Sequence, residues 1–242
     1  MSSDQAPAKS LWREPERIEQ VVWPALQLHD VFKIYGSGPV ETVALRGLEL
    51  RIERREIVAV LGPSGCGKST MLMLAAALDQ PSAGEVRVGE RSLQHLEEEE
   101  LARYRAREVG LVFQGDNLWP ALSARENVAA GLRLAGRRHA GAAAEDALTR
   151  FGLGGRGGHR AGALSGGEQQ RVAIAAAYAR KAPLVLADEP TGELDARNEQ
   201  IVLESLRQLR DEGGSTIVLV THSVRVAAAA DRVIEMRDGR VT

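Results

Sequence analysis

The stretch Ile57-Val58-Ala59-Val60-Leu61-Gly62-Pro63-Ser64-Gly65-Cys66-Gly67-Lys68-Ser69-Thr70, followed by the apolar run Met71 to Leu78, decides the fold. The first five residues read as a buried strand and the run after Thr70 as a helix. Between them lies G-x-x-x-x-G-K-[ST], a loop suited to cradling phosphate. Its glycines let backbone N–H groups turn inward with no Cβ in the way. Lys68 is expected to reach the β and γ phosphates as a point charge, and Ser69 to offer a hydroxyl to Mg²⁺. The positive end of the following helix points at the same anion. Strand, glycine loop and helix are the context that this motif requires.

The rest of the composition narrows the function classes. The 242 residues are 44% hydrophobic and 26% charged, an ordinary globular balance. A formal net charge of −2 supplies no overall basic field for nucleic acid, and 4% aromatics argue against a base-stacking platform. No nucleic-acid partner is expected. Cys66 is the one cysteine, so no intrachain disulfide forms, as suits a reducing cytosol. No apolar stretch approaches the roughly 18–20 residues of a spanning helix, and MSSDQAPAKSLWREPERIEQ lacks the apolar centre of a signal peptide. Work at a membrane would need another chain to hold this one there.

Residues 1–24, polar with Pro7, Pro15 and Pro24, read as an N-terminal extension with Trp12 and Trp23 as its ordering residues. From Ala25 the pattern predicts strands over Leu26 to Tyr35, Val43–Ile52, Ile57–Leu61 and Gly84–Gly89, the last bounded by glycines. An acidic helix start at Glu97–Glu100 leads to a helix as far as Arg107, with a strand at Val109–Phe113. Ser123 and Glu126 form a capping box opening a helix to Leu134, a further helix covers Ala142–Phe151, and Gly152–Gly162 is loop. After Ser165 the order is helix, strand Leu184–Ala187, helix Ala196–Arg210, strand Thr216–Thr221, short helix, and a strand at Arg232–Met236. Alternating strands and helices imply an α/β parallel sheet covered on both faces. Residues 115–163 are helical only and read as a helical subdomain inserted into residues 25–242.

Two further motifs carry chemistry. Leu184-Val185-Leu186-Ala187-Asp188-Glu189 is an apolar strand ending in two carboxylates, where ligands bind in open α/β sheets. Asp188 suits Mg²⁺, and Glu189 would then face an attacking water as base or positioner. Leu164-Ser165-Gly166-Gly167-Glu168-Gln169-Gln170-Arg171 is a helix start capped by Ser165 and Glu168. Two glycines in a first helical turn cost about 1 kcal/mol each relative to Ala, so close backbone approach to a phosphate is expected there.

The phosphate loop, LSGGEQQR, LADEPTGELD and the pair Thr221-His222 together resemble the nucleotide-binding subunits of ABC transporters over about residues 26–242. The resemblance implies a P-loop NTPase (RecA-like) core with a mostly parallel sheet, an antiparallel β-subdomain and the inserted helical subdomain. It implies ATP and Mg²⁺, and two subunits, most simply a homodimer, sandwiching two ATP molecules head to tail. Residues 62–70 would hold one nucleotide, and Ser165, Gly166, Gly167 and Glu168 would serve the nucleotide of the partner copy. Tyr35 resembles the aromatic that stacks on adenine, and Gln114 the glutamine that reaches Mg²⁺ and water. His222 resembles the switch histidine at the γ-phosphate. Asp195 resembles the residue of the loop that crosses the dimer seam, and it equally suits the N-cap of the next helix.

EQQRVAIA, ADEPTG, VTHS and Glu126-Asn127-Val128 look most like the branch holding the ATPases of lipoprotein-releasing and macrolide-export systems and the related division ATPase. That branch implies transmembrane permease partners, a peripheral place on the cytoplasmic side of the inner membrane, and export or mechanotransmission. Its rival is the ATPase of a transmembrane regulatory complex that controls cell-wall enzymes or division without cargo. Leu118, Trp119 and Pro120 are expected on the coupling surface. Two positions depart from the pattern: Glu193 stands where relatives carry asparagine, and Ala161 where they often carry proline. Cys66, inside the phosphate loop, is expected to block ATP binding when alkylated and to be protected by MgATP.

Overall fold

A computed structural model describes residues 22–37 and 40–242. Its strands form two sheets. The first is antiparallel and holds β1 (Leu26–Ser37), β2 (Val40–Ile52), β4 (Ala83–Val88) and β5 (Arg91–Ser92) in the order β2-β1-β4-β5. The second runs β10-β9-β3-β8-β7-β6, from β3 (Ile57–Leu61), β6 (Val109–Val112), β7 (Leu184–Asp188), β8 (Thr216–Thr221), β9 (Arg232–Arg237) and β10 (Arg240–Val241). Every pairing in it is parallel except that of β10 on β9. Strand β10 was not expected: it is a two-residue strand beyond the Asp238-Gly239 turn, where both residues have positive φ.

The helices are α1 (Lys68–Ala75), α2 (Glu98–Arg107), α3 (Ala124–Leu134), α4 (Ala140–Arg150), α5 (Gly166–Arg180), α6 (Ala196–Gly213) and α7 (Val224–Ala227). Helix α1 starts at the motif lysine and stops at Ala75, three residues short of the apolar run, because Ala77 turns to φ 53°. The capping boxes at Ser123–Glu126 and Ser165–Glu168 both form. Between β6 and α5 lie α3, α4 and two short 3₁₀ turns.

Strand alternation divides the interior into two layers. Val58, Val60, Leu184, Leu186, Val218 and Val220 face α1, α2 and the antiparallel sheet. Ile57, Val185, Ala187, Ile217 and Leu219 face α3 to α6. A sheet covered on both faces is why these strands read as unbroken apolar runs. Trp23 already packs against this body: Arg87 lies over its ring at 4.8 Å, and its carbonyl accepts from Arg54 Nε at 3.2 Å. Among the described residues no helix is long and apolar enough to cross a membrane.

Candidate active site

The phosphate loop, the end of β6 and the end of β7 meet at the carboxyl ends of the parallel strands. They line a cleft of about 380 Å³ with Ser64, Gly65, Gly67, Lys68, Ser69, Thr70, Phe113, Gln114, Gly115, Asp188 and Glu189. A larger cavity of about 750 Å³, bordered by Trp23, Arg54, Arg55 and Thr216, lies at the opposite strand ends and holds none of the expected site residues. Position decides between them, since ligands of open parallel sheets sit outside the carboxyl ends. Gly67 has φ 103°, and a Cβ there would stand 2.6 Å from the carbonyl oxygen of Ala44. Gly65 has φ 78° with open space beyond it. The first glycine lets the loop close on β2, and the second leaves the cleft side bare.

The expected partners arrive with geometry. Glu189 has φ 44°, a left-handed conformation unusual for a non-glycine residue. The turn aims its carboxylate at the end of β8, where Oε2 accepts from Thr221 Oγ1 at 3.0 Å. Oε1 accepts from the His222 backbone N–H at 2.9 Å and lies 2.8 Å from His222 Nδ1. Glu189 and His222 are therefore bonded to one another, and Thr221, absent from the expected site, is the hydroxyl that fixes the pair. Burial pushes the Asp188 carboxyl above its ordinary value despite the nearby Ser69 hydroxyl. Ser69 oxygen, Asp188 carboxylate and Gln114 amide form an oxygen donor set suited to Mg²⁺, and a half-buried carboxylate favours a cation beside it.

Sequence reasoning missed a polar clamp behind Gln114. Gln170, 3% exposed on α5, donates through Nε2 to the carbonyls of Phe113 at 2.8 Å and Gln114 at 2.7 Å. Its Oε1 accepts from Asn117 Nδ2 at 3.0 Å, and Asn117 Oδ1 accepts from the Phe113 N–H at 2.7 Å. Asn127 closes the next turn, accepting from the Trp119 N–H at 2.8 Å and donating to the Leu122 and Ser123 carbonyls. A signal existed: Gln170 shares a helical stripe with Ala173 and Ala177, both buried, and a buried amide there needs partners.

The LSGGEQ residues lie elsewhere. None of Ser165, Gly166, Gly167 and Glu168 lines the cleft, and Ser165 and Gly166 are exposed at the start of α5. Ser165 Oγ accepts from the Glu168 N–H at 3.3 Å, and Glu168 returns the bond to the Ser165 N–H at 2.8 Å. Backbone bonding to Ser165 holds the Glu168 carboxyl below its ordinary value, and Arg156 lies 3.0 Å away. The glycines have a local reason as well: a Cβ on Gly167 would meet Asn198 at 3.0 Å, and one on Gly166 would meet Leu194 at 3.2 Å. Asp195 is the N-cap of α6, accepting from the Asn198 N–H at 2.8 Å.

Lys68 lines the cleft, 7% exposed, and its ammonium donates to the Gly62 and Pro63 carbonyls at 2.8 and 2.9 Å. Gly62, Pro63 and Cys66 do not line the cleft. The Cys66 thiol is 5% exposed and belongs to the apolar layer under the loop, so loop opening must precede its alkylation. Leu118 is also core, 8% exposed, whereas Trp119 is 54% exposed and Pro120 exposed. Tyr35, 39% exposed on β1, donates to Asp79 at 2.9 Å beside Thr70. Trp12 lies outside the described residues.

Known proteins share this arrangement. The family described as "ABC transporter" matches residues 45–192. The chain is 45% identical over 222 residues to the macrolide export ATP-binding/permease protein MacB of Marinobacter nauticus, covering 90% of this chain and 34% of that protein. It thus spans about a third of the length of the MacB proteins that it matches. It is 44% identical over 226 residues to the lipoprotein-releasing system ATP-binding protein LolD of Anaeromyxobacter dehalogenans, covering 92% and 95% of the two chains. Among solved structures, the dimeric post-hydrolysis state of the ATP-binding cassette MJ0796 bound to ADP and Pi superposes with a TM-score of 0.82 at 38% identity, over 89% of this chain and 96% of that one. The family match, the LolD relative and the superposed cassette agree, and the chain belongs to the ABC transporter family as one of its ATP-hydrolysing cassettes.

Proposed function

We propose that this chain is the ATPase subunit of a membrane complex of export or mechanotransmission type, working as a head-to-tail dimer peripheral to the cytoplasmic side of the inner membrane. One observation carries the dimer: Ser165 and Gly166 are exposed at a helix N-terminus, outside the cleft that the phosphate loop builds. An exposed helix start that carries a glycine, with no Cβ to bar close approach, suits a phosphate supplied by another copy. Residues 25–242 form the ATP-binding domain in this reading, with 115–163 as its inserted helical subdomain and 1–24 as an extension.

The roles follow from position. Backbone N–H groups on the cleft side of the phosphate loop, from Ser64, Gly65 and Gly67 to Thr70, cradle the phosphates, and Tyr35 stacks on the base. Ser69, Asp188 and Gln114 would hold Mg²⁺, whose charge would offset that gathering on the β and γ phosphates. Glu189 orients the attacking water and takes its proton, and His222 steadies that carboxylate and touches the γ-phosphate. The partner copy's helix start adds positive potential where the transferred group gathers charge. Moving the dimer from 1:99 to 99:1 in favour of the closed state takes about 5.5 kcal/mol of differential binding, divided between two nucleotides.

The permease would dock at a cavity of about 340 Å³ between β6, α3 and α5, lined by Leu118, Trp119, Val172 and Arg180. Asn117 lines it too, so the clamp on Gln114 lies directly behind the docking surface. Exposed Trp119 makes that surface apolar and suited to a partner. The test uses Glu189→Gln: ATP binding persists, turnover stops, and gel filtration with ATP gives a species of doubled mass. A variant that hydrolyses ATP at the parent rate removes Glu189 from the mechanism.

A further inference from the structure

Glu193 departs from the family pattern, and its position gives that departure a purpose. Gln114 Nε2 donates to Glu193 Oε1 at 3.2 Å, across 79 residues of chain. Gly192 closes on the same amide, where a Cβ would stand 3.3 Å from Nε2. The backbone of Gln114 is fixed independently by Gln170, so the amide is held at both ends of the residue.

An amide offers an NH₂ group at one end and a carbonyl oxygen at the other, and the two are nearly equal in shape. A neighbouring asparagine can donate or accept, so it leaves the flip of the glutamine open. An ionised carboxylate only accepts. It bonds the NH₂ end alone and repels the carbonyl end. Among the described residues the Gln114 Oε1 has no hydrogen-bond donor, and the residue lines the cleft with Ser69 and Asp188. A hard cation needs the oxygen, since an amide nitrogen is no ligand for Mg²⁺.

We propose that Glu193 is a positioning residue that fixes the Gln114 amide with its oxygen, not its nitrogen, presented to the metal of the bound nucleotide. This rests on the reading of Gln114 as a metal ligand given above. Glu193 touches neither nucleotide nor metal; it acts through the amide. It stands two residues before Asp195, on the loop assigned to the dimer seam, so the metal-facing amide and the seam share one short segment.

The test measures Mn²⁺ binding by electron paramagnetic resonance, with the full chain saturated with ATP, beside ATP affinity measured in EDTA. Glu193→Gln frees the flip and Glu193→Ala removes the anchor. Glu193 is exposed, so both variants fold. Each is expected to weaken Mn²⁺ by roughly tenfold, the lower end of outer-shell effects, with metal-free ATP affinity unchanged. In a Gln114→Ala background the same substitutions are expected to have no further effect. Persistence of the full loss in that background assigns it to the charge of Glu193 alone and overturns the proposal. Unchanged Mn²⁺ affinity in Glu193→Gln and Glu193→Ala, with a loss in Gln114→Ala, also overturns it and leaves Gln114 as a ligand. Unchanged Mn²⁺ affinity in Gln114→Ala overturns the ligand reading beneath it.

Discussion

Replacing Gln170 by methionine removes the clamp while keeping its volume. The side chain makes three hydrogen bonds, to the Phe113 and Gln114 carbonyls and from Asn117. At about 0.5–1.5 kcal/mol net for each, the loss is roughly 2–4 kcal/mol. The Phe113 carbonyl keeps Asn117 Nδ2 at 2.7 Å, which favours the lower half of that range. Two readouts separate local from global effects. Urea unfolding reports the total. Hydrogen exchange at the Phe113 amide, bonded to Asn117 Oδ1, reports opening of the Gln114 loop and should accelerate about 30- to 150-fold for a loss of about 2–3 kcal/mol. If the loop supplies a metal ligand as proposed, turnover should fall more than ATP affinity. A stability loss under about 1 kcal/mol, with exchange at Phe113 unchanged, would refute the idea that α5 grips this loop.

Other outcomes follow from the same contacts. Ser165→Ala should cost about 1 kcal/mol in urea unfolding through the lost cap, and it should depress ATP hydrolysis further than that loss explains. Backbone bonds lower the carboxyls of Glu126, Glu168 and Asp195, and Arg210 lowers that of Asp231. Their stabilisation is complete above the ordinary carboxylate values of 3.8–4.5 and is lost as pH falls through the lower folded values, so urea midpoints should drop below about pH 4.5. Asp188, raised by burial, works the other way: protonation there relieves a cost as pH falls through its folded value. Alkylation of Cys66 in the native protein should be at least about 100-fold slower than in urea, with MgATP slowing it again; fast native labelling would place the thiol in the cleft.

What was legible in the chain is what short-range patterning encodes. Val58–Val60 and Leu184–Ala187 are apolar on both faces because both faces are covered, and their ends mark the cleft. Ser123 and Ser165 announce their helices through a glutamate three residues on, a relation that needs no tertiary structure. Gln170 could not be paired with Phe113, because 57 residues separate them and an amide accepts many partners. The inward turn of the Cys66 side chain depends on Gly62 closing against the Met236 carbonyl, where a Cβ would stand 2.2 Å away, and β9 lies far along the chain. Leu118 and Trp119 are neighbours in a loop, and only the packing of α3 against α5 sends one into the core and leaves the other outside.

The decisive measurement is hydrolysis per chain at saturating MgATP as the chain is diluted, with light scattering reporting mass on the same samples. If each active site is completed by the signature helix of a second copy, the rate per chain falls toward zero as the single-copy species takes over. A rate per chain that stays constant where only single copies remain contradicts the account.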